Sequence, residues 1–490
     1  MTDDTVYSLI DGEVFEGTGD PVVVDDPATG SERIRYADGG EPAAAAALDS
    51  AQEGGRAWRA LSPSRRGEVL VEASRRIRAA AEDLAQLECA SAGKPIRDTR
   101  AEAQKVAEMF AFYAGFADKL FGDVVPVPTS HLNIVTREPL DTVVQLTPWN
   151  APLFTAGWQL APALAAGCAA VLKPSELTPS SSLMLARILH QAGVPAGAVN
   201  VVAGLGGTAG ARLVSDERAG RVVFIGSVPT GRRVAAAAAG AGRPSLLELG
   251  GKSANIVFAD ADLKRAARAA QGAIFAAAGQ SCTAGSRLLV QRPVYDQMVE
   301  WVSDAASRLV VGAPSDPATE VGPINNRRQF ERVCGLIETG VSEGAKLMTG
   351  GPAADLAPGF FVRPTVFADV TPDMTIASEE IFGPVLAISP FDDEEEALAL
   401  ANGGAFDLAG AVWTRDVYRA IRMAKAIRAG TVWVNGYRSL SVMSPFGGMR
   451  GSGFGRSSGI DVMHEYTQPK SLWIETDESA VAPFGYGPED

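Results

Sequence analysis

Apolar residues recur at spacings of three and four from Glu41 to about Lys119, with Arg75, Arg76 and Arg78 falling between them. This spacing predicts a run of amphipathic helices. From Val143 the texture changes. Short β-branched or apolar runs at 143–146, 169–173, 199–202, 222–225 and 246–248 are separated by helical stretches, and strand alternating with helix predicts a parallel, doubly wound sheet. A second alternating series, with strands expected at 287–290, 346–349, 385–389, 409–413 and 431–434, predicts a second α/β domain. The most apolar window, 160–172, contains Pro162 and is too short to span a bilayer, so it reads as a buried helix running into a strand. The acidic run Asp392-Asp393-Glu394-Glu395-Glu396 fits a helix start, where the dipole favours negative charge. Extended stretches at 123–137 and from Tyr466 onward fit neither series. Each is either an ordinary surface hairpin or an edge strand able to pair with a second copy of the chain.

At 490 residues the chain is too long for one ordinary core, and two large domains with a smaller appendage are expected. A net charge of −14 argues against a nucleic-acid or anionic-membrane surface and leaves small molecules as the expected partners. Met1-Thr2-Asp3-Asp4 is acidic and does not open a secretory signal, so a cytoplasmic location is expected. Cys89, Cys168, Cys282 and Cys334 form no CxxC pair, and His131, His190 and His464 lack the spacing of a helical metal pair. Neither a disulfide framework nor a bound metal is expected.

Cys282 lies among small residues in Gly279-Gln280-Ser281-Cys282-Thr283-Ala284-Gly285, and Glu248 heads Glu248-Leu249-Gly250-Gly251-Lys252. A thiol with room for a substrate carbonyl and a carboxylate that can take a proton make a nucleophile and its base. Taken singly, an unpaired cysteine is more often a small packing residue. Two segments compete for a nucleotide. Gly204-Leu205-Gly206-Gly207-Thr208-Ala209 fits the dinucleotide fingerprint, but the acidic residue that should follow about twenty positions on is missing from 222–233. In Phe224-Ile225-Gly226-Ser227-Val228-Pro229-Thr230-Gly231 a strand ends, Gly226 permits close approach, and Ser227 with Pro229 opens a helix whose free N–H groups suit a pyrophosphate. A plain helix cap at Ser227 is the other reading.

Thr147-Pro148-Trp149-Asn150, Lys173-Pro174-Ser175-Glu176, Glu248, Cys282 and Glu380-Ile381-Phe382-Gly383-Pro384-Val385 occur in one order. They are followed by Val432-Trp433-Val434-Asn435 and Pro445-Phe446-Gly447-Gly448-Met449-Arg450-Gly451-Ser452-Gly453. In these motifs the chain resembles the NAD(P)-dependent aldehyde dehydrogenase superfamily over essentially its whole length. The resemblance implies two doubly wound α/β domains plus a small β oligomerisation arm. Residues 1–121 and 140–248 would form the NAD-binding domain, 249–451 the catalytic domain, and 122–139 with 452–490 the arm and C-terminal tail. It implies a homodimer or homotetramer and a small-molecule aldehyde as substrate. Cys282 would be the nucleophile, Glu248 the base that activates water and Asn150 the oxyanion donor. Cofactor contacts would come from Thr147, Pro148, Trp149, Ser175, Gly226, Ser227, Leu249 and Gly250. Lys173 and Glu176 would hold the adenosine ribose, and Glu380 and Phe382 the nicotinamide end. A carboxylate at Glu176 repels a 2′-phosphate, so NAD is expected over NADP. Because relatives that pass the acyl group to coenzyme A generally lack this glutamate, Glu248 points to a free carboxylic acid product.

The chain departs from the resembled pattern at several places. Alanines at 276–278 and Ala151 take positions where bulkier residues are common. A wide pocket is expected, walled by Phe154, Trp158, Leu440 and Phe446 with Ser281 and Thr283 beside the nucleophile, and suited to a bulky or aromatic aldehyde. Ser457 replaces a common glutamate and is expected to weaken the support of the catalytic water; Lys252 is expected at the surface, with a role in holding the loop near Glu248 as the other reading. A cofactor-free thiol hydrolase and a non-catalytic binding protein are the alternatives; nucleotide binding would argue against the first, and retention of both Cys282 and Glu248 against the second.

Overall fold

The computed structural model describes residues 5–480, 484–485 and 487; Met1-Thr2-Asp3-Asp4 and the remaining tail residues lie outside the described residues. Two sheets organise the chain. The first has eight strands in the spatial order Glu13–Phe15, Ser8–Ile10, Val199–Val201, Ala169–Lys173, Thr142–Leu146, Arg221–Ile225, Ser245–Glu248 and Gly453–Phe454. Its five central strands are parallel. The strand order reverses between Thr142–Leu146 and Arg221–Ile225, and in such sheets the crevice beyond the strands' carboxyl ends at the reversal is where ligands bind. The second sheet has seven strands, in the order Lys346–Pro352, Val362–Ala368, Val385–Phe391, Arg287–Gln291, Ala254–Val257, Ala409–Trp413 and Thr431–Val434. All neighbours pair in parallel except the first two.

The strands anticipated from β-branched runs are all present, and the helical stretch near the N-terminus resolves into Gly40–Ala60, Pro63–Ala79, Ala81–Ala92 and Ile96–Ala114. The apolar window becomes Pro152–Ala166, buried all round, stopped by Gly167 at φ 96° and followed by the buried strand Ala169–Lys173. Glycine suits that left-handed stop because it carries no Cβ. The acidic run opens Glu394–Asn402, where the Asp393 side chain accepts the Glu396 N–H. Asp123–Val125, His131–Pro139 and Thr467–Glu475 form a separate three-stranded antiparallel sheet. Ahead of the last arm strand, Gly453–Phe454 pairs with Leu247 and Glu248, and Val462, Met463 and Tyr466 are buried in the core under the first sheet. Apolar residues in the short helix Asp461–Glu465 find burial there that a two-sided arm could not give them.

Candidate active site

Glu248 is the last residue of its strand and is 5 % exposed. The turn that follows brings it to the cysteine loop: a Cβ on Gly251 would lie 2.3 Å from the Cys282 carbonyl oxygen, so only glycine permits this approach. Upstream of Cys282 the backbone is left-handed at three successive residues, Ala277 (φ 53°), Ala278 (φ 53°) and Gly279 (φ 72°). Two non-glycine residues in that region cost roughly 1 kcal/mol or more each. The loop is held by packing and hydrogen bonds. The Gln280 amide donates to the Ala277 and Pro323 carbonyls, and its oxygen accepts the Asn325 N–H. Ser281 and Thr283 hydroxyls lie 3.2 Å apart, and the Tyr437 hydroxyl donates to the Thr283 carbonyl at 3.1 Å.

Asn150 stands between the strand Thr142–Leu146 and the helix Pro152–Ala166, in the segment that also carries Thr147, Pro148, Trp149 and Ala151. Its amide nitrogen donates to the Gln280 carbonyl at 2.9 Å, which fixes it beside the Cys282 loop and leaves its second N–H free. The same helix start is anchored by fully buried Glu88, which accepts the Leu153 N–H and the Ser181 hydroxyl. Nothing in the sequence around Glu88 signals this role, because its partners lie 65 and 93 residues away.

Electrostatics follow from burial. Desolvation pushes Glu248 up to about 8, opposed by the Ser457 hydroxyl and the Arg456 charge. The same cause, helped by the Glu248 and Glu380 carboxylates, pushes Cys282 up to about 12, with Arg438 pulling the other way. The resting thiol is therefore protonated and shares a field with Glu248. Lys252 corrects the expectation of a surface residue: it is 3 % exposed, its Nζ has no hydrogen-bond partner, and burial with neighbouring Arg287 lowers it to about 7.

The residues expected to hold a nucleotide from one side gather at the carboxyl ends of the first sheet. Lys173 ends its strand with Nζ donating to the Pro174 carbonyl and pairing with Glu176 at 3.5 Å, while the Ser175 hydroxyl accepts the Leu177 N–H. Gly226 donates its N–H to the Glu248 carbonyl. Ser227 precedes the helix Val228–Gly240, but its hydroxyl bonds to Thr230 Oγ1 and caps no backbone N–H, leaving that helix start open to an anion. Thr147 Oγ1 is buried and has no partner. Across the crevice Glu380 accepts the Gly251 N–H at 2.9 Å, and a Cβ on Gly250 would meet the Glu380 carboxylate at 2.1 Å. Leu249 is buried against Gly231. Phe382, at φ 57°, meets Trp149 edge-on at 5.3 Å. An open helix start, an orphaned hydroxyl and paired acidic and basic groups fit a dinucleotide. The glycine-rich turn at 204–209 has a different task. The Asp38 carboxylate accepts the Leu205 N–H and the Thr208 hydroxyl, occupying the place a phosphate would need.

The apolar wall comes largely from one helix. Phe154 and Trp158 stack at 5.1 Å, and Phe446 meets Trp158 edge-on at 6.1 Å. Leu440 packs apart from these rings, in a cluster with Ala409, Ala411, Trp433 and Tyr437. Ser457 contributes what the sequence did not suggest: its hydroxyl donates to Glu248 Oε1 at 2.7 Å.

The Aldehyde dehydrogenase family matches residues 15–472. A betaine aldehyde dehydrogenase of Cereibacter sphaeroides is 44% identical over 468 residues, 95% of this chain and 96% of that protein. Human retinal dehydrogenase 2 is 41% identical over 426 residues, 86% of this chain and 82% of its own length. The crystal structure of PnpE from Pseudomonas sp. WBC-3 in complex with nicotinamide adenine dinucleotide superposes with a TM-score of 0.95 at 40% identity, covering 97% of this chain and 99% of that one. The chain belongs to the aldehyde dehydrogenase family. Among the described residues no helix is long and apolar enough to cross a membrane.

Proposed function

We propose that this protein oxidises a bulky or aromatic aldehyde to its carboxylic acid with NAD, through a thioester on Cys282 that Glu248 hydrolyses. The observation that supports the reading most is the close approach of the turn after Glu248 to the Cys282 loop at Gly251, with Asn150 bonded to the Gln280 carbonyl of that loop and Glu380 bonded to Gly251. The Cys282 sulfur bonds to the aldehyde carbon as its S–H bond breaks and the proton passes to water, and the carbonyl oxygen becomes an alkoxide. The free Asn150 N–H and the Cys282 backbone N–H supply a hole for that charge. NAD, when bound, accepts the hydride whose loss turns the adduct into a thioester. Glu248 then takes a proton from water as the water oxygen bonds to the acyl carbon, and the C–S bond breaks to return Cys282 and release the acid. Thr147, Ser227, Lys173 and Glu176 would bind the nucleotide from one side, with Glu380 and Phe382 placing its reactive end. Glu176 favours a free ribose hydroxyl over a phosphate.

Small residues at Ala151, Ala276 and Ala277 and the rings of Phe154, Trp158 and Phe446 suit a large apolar group. The same rings favour a second reading, a quaternary ammonium aldehyde held by cation–π attraction. Arg438, whose field reaches Cys282, repels such a cation. NADH formation with aromatic, aliphatic, carboxylated and quaternary-ammonium aldehydes, each with NAD and with NADP, tests the assignment. The highest kcat/KM should fall to an aromatic aldehyde with NAD; preference for betaine aldehyde would select the second reading, and inertness towards every aldehyde would reject both. Asn150→Ala should lower turnover about a hundredfold or more while leaving nucleotide binding intact, checked by steady-state rates and calorimetry. Exposed Val124, Leu472, Trp473 and Ile474 on the three-stranded sheet make that sheet the natural seam with a second copy, in a homodimer or homotetramer.

The state of Glu248 sets a pH dependence. With its carboxyl pushed up to about 8, the hydrolytic form is the minority at neutral pH. Steady-state turnover should therefore climb roughly tenfold per pH unit on the acid side and level off above about 8, measured at saturating substrate. A rate that is flat across that range would contradict Glu248 as the base.

A further inference from the structure

We infer that Ser457, locked as a donor by Trp158, positions Glu248 so that one carboxylate oxygen is held and the other, Oε2, handles the proton. The inference rests on Glu248 being the hydrolytic base and deepens that reading. Its ground is a chain of hydrogen bonds whose direction has no freedom. The Trp158 indole N–H is a donor only, and it points at Ser457 Oγ at 2.9 Å. The serine oxygen is thus an acceptor towards the indole, and its single proton goes elsewhere. Glu248 Oε1 at 2.7 Å is a far better acceptor than the Phe446 carbonyl at 3.4 Å, which already receives the Ser457 backbone N–H at 2.9 Å. Indole gives to hydroxyl and hydroxyl gives to carboxylate.

Burial makes this direction matter. Ser457 is 1 % exposed and Trp158 6 %, so water does not compete for either group. Oε1 accepts the serine proton in both protonation states, so a proton resident on Glu248 has to sit on Oε2. Oε2 is buried and has no partner in the protein, leaving it open to a substrate water. The groups that face Glu248 from the surrounding elements are few. Arg456 directs Nη1 to the Gly448 and Gly455 carbonyls, and Cys282 approaches from its own loop. Ser457 is thus the one side chain hydrogen-bonded to the Glu248 carboxylate among the described residues. A hydroxyl donating to the ionised form also favours that form, opposing the burial that disfavours it. Ser457 is a positioning residue that supplies Glu248 with a directed proton donor.

The test compares wild type, Ser457→Ala, Ser457→Thr, Trp158→Phe and Glu248→Gln as intact proteins, following the first-turnover NADH burst, the steady-state rate after it and the pH profile of that rate. Ser457→Ala should keep a full burst, lose about tenfold or more in the later rate, and move the acid-side midpoint upward by about one unit. Trp158→Phe, which keeps an aromatic ring and removes the N–H, should move the midpoint the same way by less. Ser457→Thr should restore both rate and midpoint. A Ser457→Ala enzyme with the wild-type rate and midpoint would overturn the inference. So would an equal loss of burst and later rate with an unmoved midpoint, which is the mark of a merely structural residue. Glu248→Gln separates the two levels: if it hydrolyses at the wild-type rate, the assignment of Glu248 itself fails; if it stalls while Ser457→Ala does not, only the role of Ser457 fails.

Discussion

Cys282→Ala is expected to abolish aldehyde-dependent NADH formation, lowering turnover by roughly four orders of magnitude or more, as removal of a covalent nucleophile does. Alanine fits the site without strain, since the neighbouring backbone is shaped by Ala277, Ala278 and Gly279 rather than by the thiol. Nucleotide affinity should survive, because the residues assigned to it lie at the strand ends of the first sheet and on the segment around Glu380. Calorimetric titration with NAD beside rate measurements checks both halves. Loss of binding together with activity would mean the loop had collapsed, and undiminished turnover would remove Cys282 from the chemistry.

Glu248→Gln should divide the reaction instead of abolishing it. Glutamine keeps the size of the side chain and can accept the Ser457 proton at Oε1, so the loop stays in place. It cannot take a proton from water. Rapid mixing should then show a burst of about one NADH per active site, followed by a steady rate reduced by roughly a hundredfold to ten-thousandfold. Absence of the burst would assign Glu248 to thiol activation as well. That outcome has its own physical basis, because Cys282 is pushed up to about 12 and must lose its proton as the sulfur attacks.

Much of the scaffold could be read from local pattern. Parallel strands buried on both faces appear as continuous apolar runs, which is why Ala169–Lys173 and Arg221–Ile225 stood out. Ala254–Val257 and Val362–Ala368 did not: the first is four residues long with Asn255 in its middle, and the second carries Pro364. Asn255 is tolerated in the sheet because its side-chain oxygen accepts the Trp413 indole N–H, a partner 158 residues away. The short strands Ser8–Ile10 and Glu13–Phe15 were equally silent, since three residues give no periodicity.

The site divides along the same line. Cys282, Glu248 and Asn150 were visible because each sits in a motif with neighbours that carry the resemblance. Lys252 looked like any surface lysine because the charges that act on it, Arg287 and the Glu379–Glu380 pair, are remote in sequence. Ser457 was read as a loss, the absence of a carboxylate. Its gain is a proton aimed at Glu248 and fixed by Trp158, 299 residues away, which no local pattern encodes.

The most direct test of the account is the intact mass of Glu248→Gln quenched in acid during turnover with NAD and an aromatic aldehyde, followed by peptide mapping. The account predicts a mass increase equal to the acyl group, carried by the peptide containing Cys282 and absent when the aldehyde or NAD is left out. NADH formed with no acylated protein, or an acyl group on any residue other than Cys282, would contradict it.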